Sequence, residues 1–286
     1  MIEENKNINE ILIEGAKYLK SKSIDNSDNE IQMLILHLLS CSKIELFYKK
    51  HESLSKNQII KLNKWIDRRG EREPIQYIIS STSFYGRDYY IDKNVFIPRP
   101  ESEILINEAI SNIAEKNNPS IFEIGAGSGC LSITLGMECP HAKIISIDIS
   151  DSALKVANTN AQHYDIENVS FKKLDFFNDD INNFGRHDLV ISNPPYIPIL
   201  EMDTLMPEVR EYEPHISLTD NKDGLEFYRK FSNDLPYILK ENGLAIFEVG
   251  VGDHPIKAKE IFNNSNSNTQ LLKDYNGDDR VLKVWN

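Results

Sequence analysis

Cysteine is scarce in this 286-residue chain. Cys41, Cys130 and Cys139 are all it has, and no two stand at the spacing of a metal-binding pair. An odd number of widely spread thiols argues against a disulfide framework and for a reduced, cytoplasmic protein. Long apolar runs are missing as well. The longest, Ile31 to Cys41, is interrupted by Gln32, His37 and Ser40 and is too short to span a bilayer. The opening Met1-Ile2-Glu3-Glu4-Asn5-Lys6 lacks the basic start and apolar core of a secretory signal. Neither a metal nor a membrane is expected. Positive charge is short in one part only. Residues 1–80 carry 13 Lys and Arg against 12 Asp and Glu; residues 81–286 carry 19 against 32, a net of −13. So acidic a second part argues against a broad phosphate-binding face, and direct nucleic-acid binding is not expected. The rest, 40% hydrophobic and 27% charged, is ordinary globular composition with chain enough for one large domain or two smaller ones.

Residues 1–80 read as a small helical bundle. Ile8, Ile11, Leu12, Ala16 and Leu19 recur at helical spacing. Ser27 or Asp28 is placed to cap a second helix, Glu30 to Leu39. Ser55 is placed to cap a third, with Ile59, Ile60, Leu62, Trp65 and Ile66 as its apolar side. Arg68-Arg69 reads as solvated charge near its C-terminal end, His37 as a partly buried helix residue. Residues 81–98 read as a linking β-hairpin, because from Ser83 to Ile97 aromatic and β-branched residues flank Gly86-Arg87-Asp88 and Asp92-Lys93-Asn94. Beyond Pro98 and Pro100, strand and helix alternate. Strands are expected at Ser120 to Ile124, Lys143 to Ile147, Val169 to Leu174, Asp188 to Ser192 and Leu244 to Val249, with helices between. Two last strands, Gln270 to Asp274 and Arg280 to Trp285, flank the turn signal Asn276-Gly277. The pattern implies an α/β, Rossmann-like domain over 99–286: a mostly parallel sheet with a C-terminal antiparallel hairpin and helices on both faces.

The dinucleotide fingerprint is absent too. Gly125 would require glycine at 130, and Cys130 stands there. Gly125, Ala126, Gly127, Ser128 and Gly129 instead form a G-x-G-x-G turn between the first strand and first helix of the alternating part. Glycines there allow a tight turn that a ligand can approach. Asp148 ends the next strand, 19 residues after Gly129. A carboxylate at that point can accept hydrogen bonds from both hydroxyls of a ribose. Asp175-Phe176 ends the third strand, where an acid could meet an adenine amino group and a ring could lie on its face. Asn193-Pro194-Pro195-Tyr196 ends the fourth. Two prolines terminate the strand and stiffen the exit. That leaves a side-chain amide, backbone carbonyls and an aromatic ring at the carboxyl edge of the sheet, where open α/β folds bind ligands. The set has no nucleophile and no useful base. It suits gripping a planar amino group by its hydrogens while an electrophile approaches the nitrogen.

In this order of motifs the chain resembles the class I, S-adenosylmethionine-dependent methyltransferases. From about residue 28 onward it is most similar to the bacterial PrmC/HemK family of release-factor glutamine N5-methyltransferases. Arg72-Glu73-Pro74-Ile75-Gln76-Tyr77, Phe96-Ile97-Pro98-Arg99-Pro100-Glu101-Ser102-Glu103, the glycine turn, Asp148, Asn193 to Tyr196 and Glu213-Pro214 carry the resemblance. It implies cofactor contacts at Gly125 to Gly129, Asp148, Phe176 and Asn193. It implies substrate contacts at Asn193, Pro194, Pro195 and Tyr196, with Asn193, Pro194 and Tyr196 the catalytic set. The family commonly has Asp where this chain has Glu123, and Trp where it has Phe176. The implied substrate is the Gly-Gly-Gln glutamine of class I peptide chain release factors, with the helical domain recognising it. A ribosomal-protein glutamine methyltransferase, an amino-methyltransferase of adenine or cytosine in nucleic acid, and a silent cofactor-binding module are the alternatives. Pro100-Glu101 favours the first reading over the ribosomal one. Arg99, held between two prolines, fits either substrate positioning or a structural salt bridge.

Overall fold

The computed structural model describes residues 2–3 and 5–286. Five helices come first: α1 (Ile8–Ser21), α2 (Ser27–Leu39), α3 (Lys43–Lys49), α4 (Lys56–Gly70) and α5 (Ile75–Ile79). A hairpin follows, β1 (Ser81–Phe84) and β2 (Arg87–Tyr90). Then come α6 (Glu103–Ile113), β3 (Ser120–Ile124), α7 (Cys130–Glu138), β4 (Lys143–Asp148), α8 (Asp151–His163), β5 (Val169–Lys173) and β6 (His187–Ser192). After β6 lie α9 (Pro207–Tyr212), α10 (Glu226–Ile238), β7 (Leu239–Glu248), α11 (His254–Asn263), β8 (Asn268–Lys273) and β9 (Asp279–Trp285). The chain forms two compact units. One holds the residues up to Ser80 together with Met206–Tyr212; the other holds Ser81–Leu205 and Glu213–Asn286. Among the described residues no single helix is long and apolar enough to cross a membrane.

In the helical unit, local chemistry starts three of the helices in the same way. Asn7 with Glu10, Ser42 with Glu45 and Ser55 with Gln58 form reciprocal capping boxes that satisfy free N–H groups of the first turn. α2 departs from expectation. It begins at Ser27 behind Asn26, which makes no side-chain cap; the Asn26 oxygen is taken by Asn29 instead. The apolar stripes meet in one core around Ile8, Ile11, Leu19, Ile31, Leu34 and Leu62. Arg69 corrects the solvated reading of Arg68-Arg69: it is buried and ion-paired to both Glu30 and Glu208. Arg72 also holds Glu208, and the Tyr212 hydroxyl donates to the Glu71 carbonyl at 2.6 Å. Thus α9, remote in sequence, is fixed to this unit by charge pairs.

The larger unit is organised by a seven-stranded sheet in the order β5-β4-β3-β6-β7-β9-β8. Strands β5 to β7 are mutually parallel; β9 runs antiparallel to β7 and pairs with β8 at the edge. Side chains alternate across the sheet, as the pleat dictates. Phe122, Ile124, Val190, Ala245 and Phe247 face a core closed by Tyr228, Phe231, Ala258 and Phe262 of α10 and α11. Ile121, Leu189, Ile191 and Ile246 face the other, closed by Leu105, Ile106, Leu131 and Leu135 of α6 and α7. Strand order reverses between β3 and β6, the switch point where such folds open a crevice. The hairpin is shorter than the sequence suggests. Phe84 pairs with Arg87, so a two-residue turn, Tyr85-Gly86, closes it. Past Tyr90, Asp92 accepts from the Asn94 N–H at 2.9 Å, and that local turn ends the strand. Residues 92–98 are therefore a non-strand approach to the sheet.

Candidate active site

A cavity of about 430 Å³ opens at the carboxyl ends of β3, β4 and β6. That is the size of a small-molecule or cofactor site. Its floor is the turn after β3. Gly125, Gly127 and Gly129 all have positive φ, at 89°, 53° and 79°, a conformation that only glycine adopts without penalty. The turn is tied down on every side. The Gly125 and Ala126 N–H groups donate to the Ile147 carbonyl at 2.8 and 2.9 Å. The Gly127 N–H donates to Asp148 Oδ2 at 2.9 Å. Asn160 of α8 donates to the Ser128 carbonyl and exchanges bonds with the backbone of Tyr90, so the hairpin braces the turn.

Gly125, Ala126, Gly127, Ser128, Asp148, Phe176, Asn193, Pro194 and Pro195 all line this one cavity; Gly129 and Tyr196 do not. Gly129 is packed beneath the turn, where an added methyl would meet Ile133, Ala157 and Phe171 at 2.9–3.1 Å. Asp148 Oδ1 accepts from the Ser150 N–H at 2.9 Å. Burial raises the Asp148 carboxyl pKa; the N–H groups around it work the other way. Asp175 lines the same cavity and also closes a turn of its own. Its carboxylate accepts from the N–H of Phe177 and from the Asn178 side chain, which closes its own turn. Phe176 is buried against Phe227 and Phe231. Its neighbour Phe177 also lines the cavity and is exposed, at 42%.

Asn193 leaves β6 beside the glycine turn: a methyl group placed on Gly125 would stand 4.0 Å from the Asn193 carbonyl oxygen. The Ser192 hydroxyl donates to the Ile124 carbonyl at 2.6 Å and locks the two strand ends together. Asn193 Nδ2 donates to Ser102 Oγ at 3.1 Å. The Tyr196 hydroxyl donates to Glu248 Oε1 at 3.1 Å and accepts from Arg280 at 3.2 Å. The backbone after Tyr196 is zipped to the following loop by Ile197 N–H to Leu218 O and Ile199 N–H to Lys222 O, both 2.9 Å. Arg99 is held in an ion pair. It binds the buried Glu213, which also accepts from the Ile97 N–H at 3.2 Å, and lies over the Phe96 ring.

Two buried acids flank Asn193 on the neighbouring strands; the sequence marks Glu123, where the family commonly has Asp, but gives Glu248 no role in the site. Glu123, on β3, has its carboxyl pushed up to about 8 by burial, against the pull of Ser146 and Ser132. Its Oε2 accepts from Ser146 at 2.5 Å, while Oε1 is buried without a partner. Ser128 Oγ is likewise buried and unpartnered, and both residues line the cavity. Glu248 ends β7 with both oxygens occupied. An acid at the carboxyl end of an apolar strand was the available signal for both.

Known proteins place the chain. Residues 10–79 match the PrmC N-terminal domain, and residues 115–264 match a methyltransferase domain. A release factor glutamine methyltransferase of Fusobacterium nucleatum is 34% identical over 297 residues, covering 99% of this chain and 84% of that one. One from Bacillus subtilis is 32% identical over 287 residues, 97% of each chain. Among solved structures, a methyltransferase from Pyrococcus furiosus has the same fold at a TM-score of 0.53, with 16% identity over 71% of this chain and 90% of that one. The chain is a methyltransferase with a class I sheet and a PrmC N-terminal domain, and it belongs to the release factor glutamine methyltransferase family.

Proposed function

We propose that this enzyme transfers a methyl group from S-adenosylmethionine to the side-chain amide nitrogen, N5, of the Gly-Gly-Gln glutamine in class I peptide chain release factors. The supporting observation is the position of Asn193, which shares one cavity with the glycine turn and Asp148. The relatives' names supply the substrate class.

The cavity suits the cofactor. Asp148, on the rim, is the acceptor for ribose hydroxyls. Glu123 Oε1 and Ser128 Oγ are buried polar atoms without partners, and an α-ammonium group would satisfy them. Phe176 and Phe177 form an aromatic wall for the base. The bound cofactor supplies an electrophilic methyl group on a positively charged sulfur.

The chain's own residues do the rest. An amide nitrogen is a weak nucleophile because its lone pair is delocalised into the carbonyl. Asn193 Oδ1 and the Pro194 carbonyl each accept one hydrogen of the substrate amide. They fix the nitrogen in the line of transfer and favour the positive charge that develops on it. Orientation of this kind supplies roughly 7–11 kcal/mol of barrier reduction, and each well-aimed dipole about 3 kcal/mol more. The methyl group that the bound cofactor would supply would go to the nitrogen held by Asn193 and Pro194, the C–S bond giving way to the N–C bond, and the surplus amide proton would leave to solvent. No base is required beforehand. The helical unit, with α9, serves recognition of the protein substrate.

The test is mass spectrometry of purified, unmethylated release factor after incubation with the enzyme and S-adenosylmethionine. One added methyl group is expected on the Gly-Gly-Gln glutamine, and Asn193→Ala should lose most of the turnover, leaving a slow measurable residue, while retaining cofactor binding. Methyl transfer to a ribosomal protein or a nucleic acid, with none to the release factor, would overturn the substrate assignment.

A further inference from the structure

The Asn193 amide has two ends of nearly equal size, and sterics alone do not choose between them. Facing the cavity with Oδ1, it accepts from a substrate amide. Facing it with Nδ2, it sets donor against donor. Hydrogen bonding must decide.

Behind Asn193 lies a buried chain of polar groups. Ser102 ends the short 3-10 turn Pro100–Ser102 and is buried. Its Oγ donates to Glu248 Oε2 at 2.5 Å and accepts from Asn193 Nδ2 at 3.1 Å. Glu248 is 0% exposed. Its other oxygen accepts from the Tyr196 hydroxyl at 3.1 Å and from the Arg280 guanidinium at 3.3 Å. Arg280 also donates to the Tyr196 hydroxyl, which therefore turns its single hydrogen to Glu248.

The direction of each bond follows. A carboxylate beside a guanidinium can only accept. Ser102 has one hydroxyl hydrogen and gives it to Glu248, so toward Asn193 it presents lone pairs. Asn193 must answer with Nδ2, and Oδ1 is left at the opposite end of the amide, on a residue that lines the cavity. We infer that Glu248 and Ser102 are positioning residues that fix the amide of Asn193 with its oxygen toward the substrate, Arg280 and Tyr196 holding Glu248 in its accepting state. This rests on the acceptor role proposed for Asn193. It assigns a task to Ser102 within the Pro98-to-Glu103 segment and to the acid at the end of β7.

Isosteric substitution separates orientation from packing. Glu248→Gln keeps the shape. Its oxygen goes to the donors Tyr196 and Arg280, so its NH₂ faces Ser102. Ser102 then accepts from it, turns its hydrogen toward Asn193 and favours the reversed amide. Ser102→Ala removes the constraint without reversing it. Both should lower kcat for methyl transfer, Ser102→Ala about tenfold and Glu248→Gln about a hundredfold, the scale of losing one oriented dipole. KM for the release factor and the affinity for S-adenosylhomocysteine should stay within about threefold of wild type, a change of under 1 kcal/mol. Ser102→Thr, which keeps the hydroxyl, should restore most of the rate. In an Asn193→Ala background, Ser102→Ala should have no further effect, because the group it positions is gone. An equal fold-loss in both backgrounds overturns the inference, and so does an unchanged kcat in Ser102→Ala.

Glu248→Gln also removes the counter-charge of Arg280, so Ser102→Ala carries the test if the other variant does not fold. A readout that needs no substrate keeps this separate from the proposed function. The Asn193 side-chain NH₂ signal, assigned in ¹⁵N–¹H spectra by its loss in Asn193→Ala, should exchange slowly in wild type and at least tenfold faster in Ser102→Ala. Equal exchange in the two proteins overturns the inference whether or not release factor is the substrate.

Discussion

Gly224 carries the most direct structural test of the loop that follows β6. Its φ is +80°, and a Cβ built there would lie 2.2 Å from the Tyr196 carbonyl oxygen, 2.9 Å from the Tyr196 carbonyl carbon and 3.3 Å from Pro198 N. Reaching ordinary contact requires a shift of roughly 1 Å or more, because non-bonded heavy atoms settle near 3.5 Å. Neither side yields easily. The Gly224 N–H donates to Asp220 Oδ1 at 3.0 Å, and its carbonyl is bonded to His254 Nε2 at 3.0 Å. Asp220 also accepts from the N–H groups of Lys222 and Glu226, so the turn is closed on itself. Gly224→Ala should therefore displace the backbone at Tyr196 and, through two stiff prolines, Asn193. Overpacking costs about 1–3 kcal/mol, and the left-handed backbone adds about 1–2 kcal/mol for a residue with a side chain. A loss of about 3 kcal/mol in a denaturation experiment is expected. A misplacement near 1 Å at the reacting groups costs about a hundredfold in rate. Steady-state methyl transfer should show that loss in kcat. Calorimetric affinity for S-adenosylhomocysteine should change only a fewfold, because the glycine turn belongs to β3. Wild-type kcat together with wild-type stability would falsify the account of this contact.

Two buried titrating groups should give opposite pH slopes. Glu123 rises from 4.5 to about 8 on folding, so its stabilising contribution is complete below pH 4.5 and is lost as pH climbs to 8. Glu123→Gln should remove that slope and make the ligand-free protein more stable at pH 8, by on the order of 3 kcal/mol after discounting the full shift. Cofactor affinity should fall in the same variant, since the amide oxygen goes to Ser146 and an NH₂ donor replaces the unpaired acceptor; a gain in both stability and affinity would sink the assignment. His187 is buried at the start of β6, stacked on Phe122 at 4.9 Å, with both ring nitrogens unpartnered. Burial lowers its pKa from 6.5 to about 4, so stability is lost as pH falls from 6.5 toward 4. His187→Phe should abolish roughly 2 kcal/mol of that loss. The two slopes overlap and partly cancel between pH 4.5 and 6.5, so urea melts of each variant against wild type at pH 4.5, 6 and 8 are needed. Parallel curves for wild type and His187→Phe would show that the imidazole is not the source.

The alternation of apolar strands with helical spacing made the sheet legible, because each of its central strands needs a continuous buried run. The cavity was legible for the same reason: Gly125 to Gly129, Asp148 and Asn193 follow successive strands, and parallel strands deliver their carboxyl ends to one edge. Partnerships were not legible. Ser102 and Glu248 are separated by 146 residues, and Arg99 and Glu213 by 114. No local periodicity encodes such pairs. Arg69 looked like one of two solvated charges at a helix end until α9 brought Glu208 to it. Asp175 and Phe176 show a subtler limit. Strand order puts the pair at the cavity, but only packing reveals that the acid caps its own turn and that Phe177 has the more exposed ring.

The two acids beside Asn193 look alike in sequence terms, and their hydrogen bonds assign them opposite tasks. β6 lies between β3 and β7, so Glu123, Asn193 and Glu248 sit across three neighbouring strands at one edge. Both carboxyls are almost fully buried, at 1% and 0% exposure, and burial raises both pKa values. A buried acid is costly unless it is paired. Glu248 is paired on both oxygens by groups of its own chain, so nothing further is needed to satisfy it, and its effect must be exerted inward, on the groups it orients. Glu123 has one oxygen bound by Ser146 and one left bare against the cavity. Such an atom can still be completed by a ligand. The completed acid fits the proposed apparatus that aims Asn193, and the incomplete one fits the proposed site for the methyl donor.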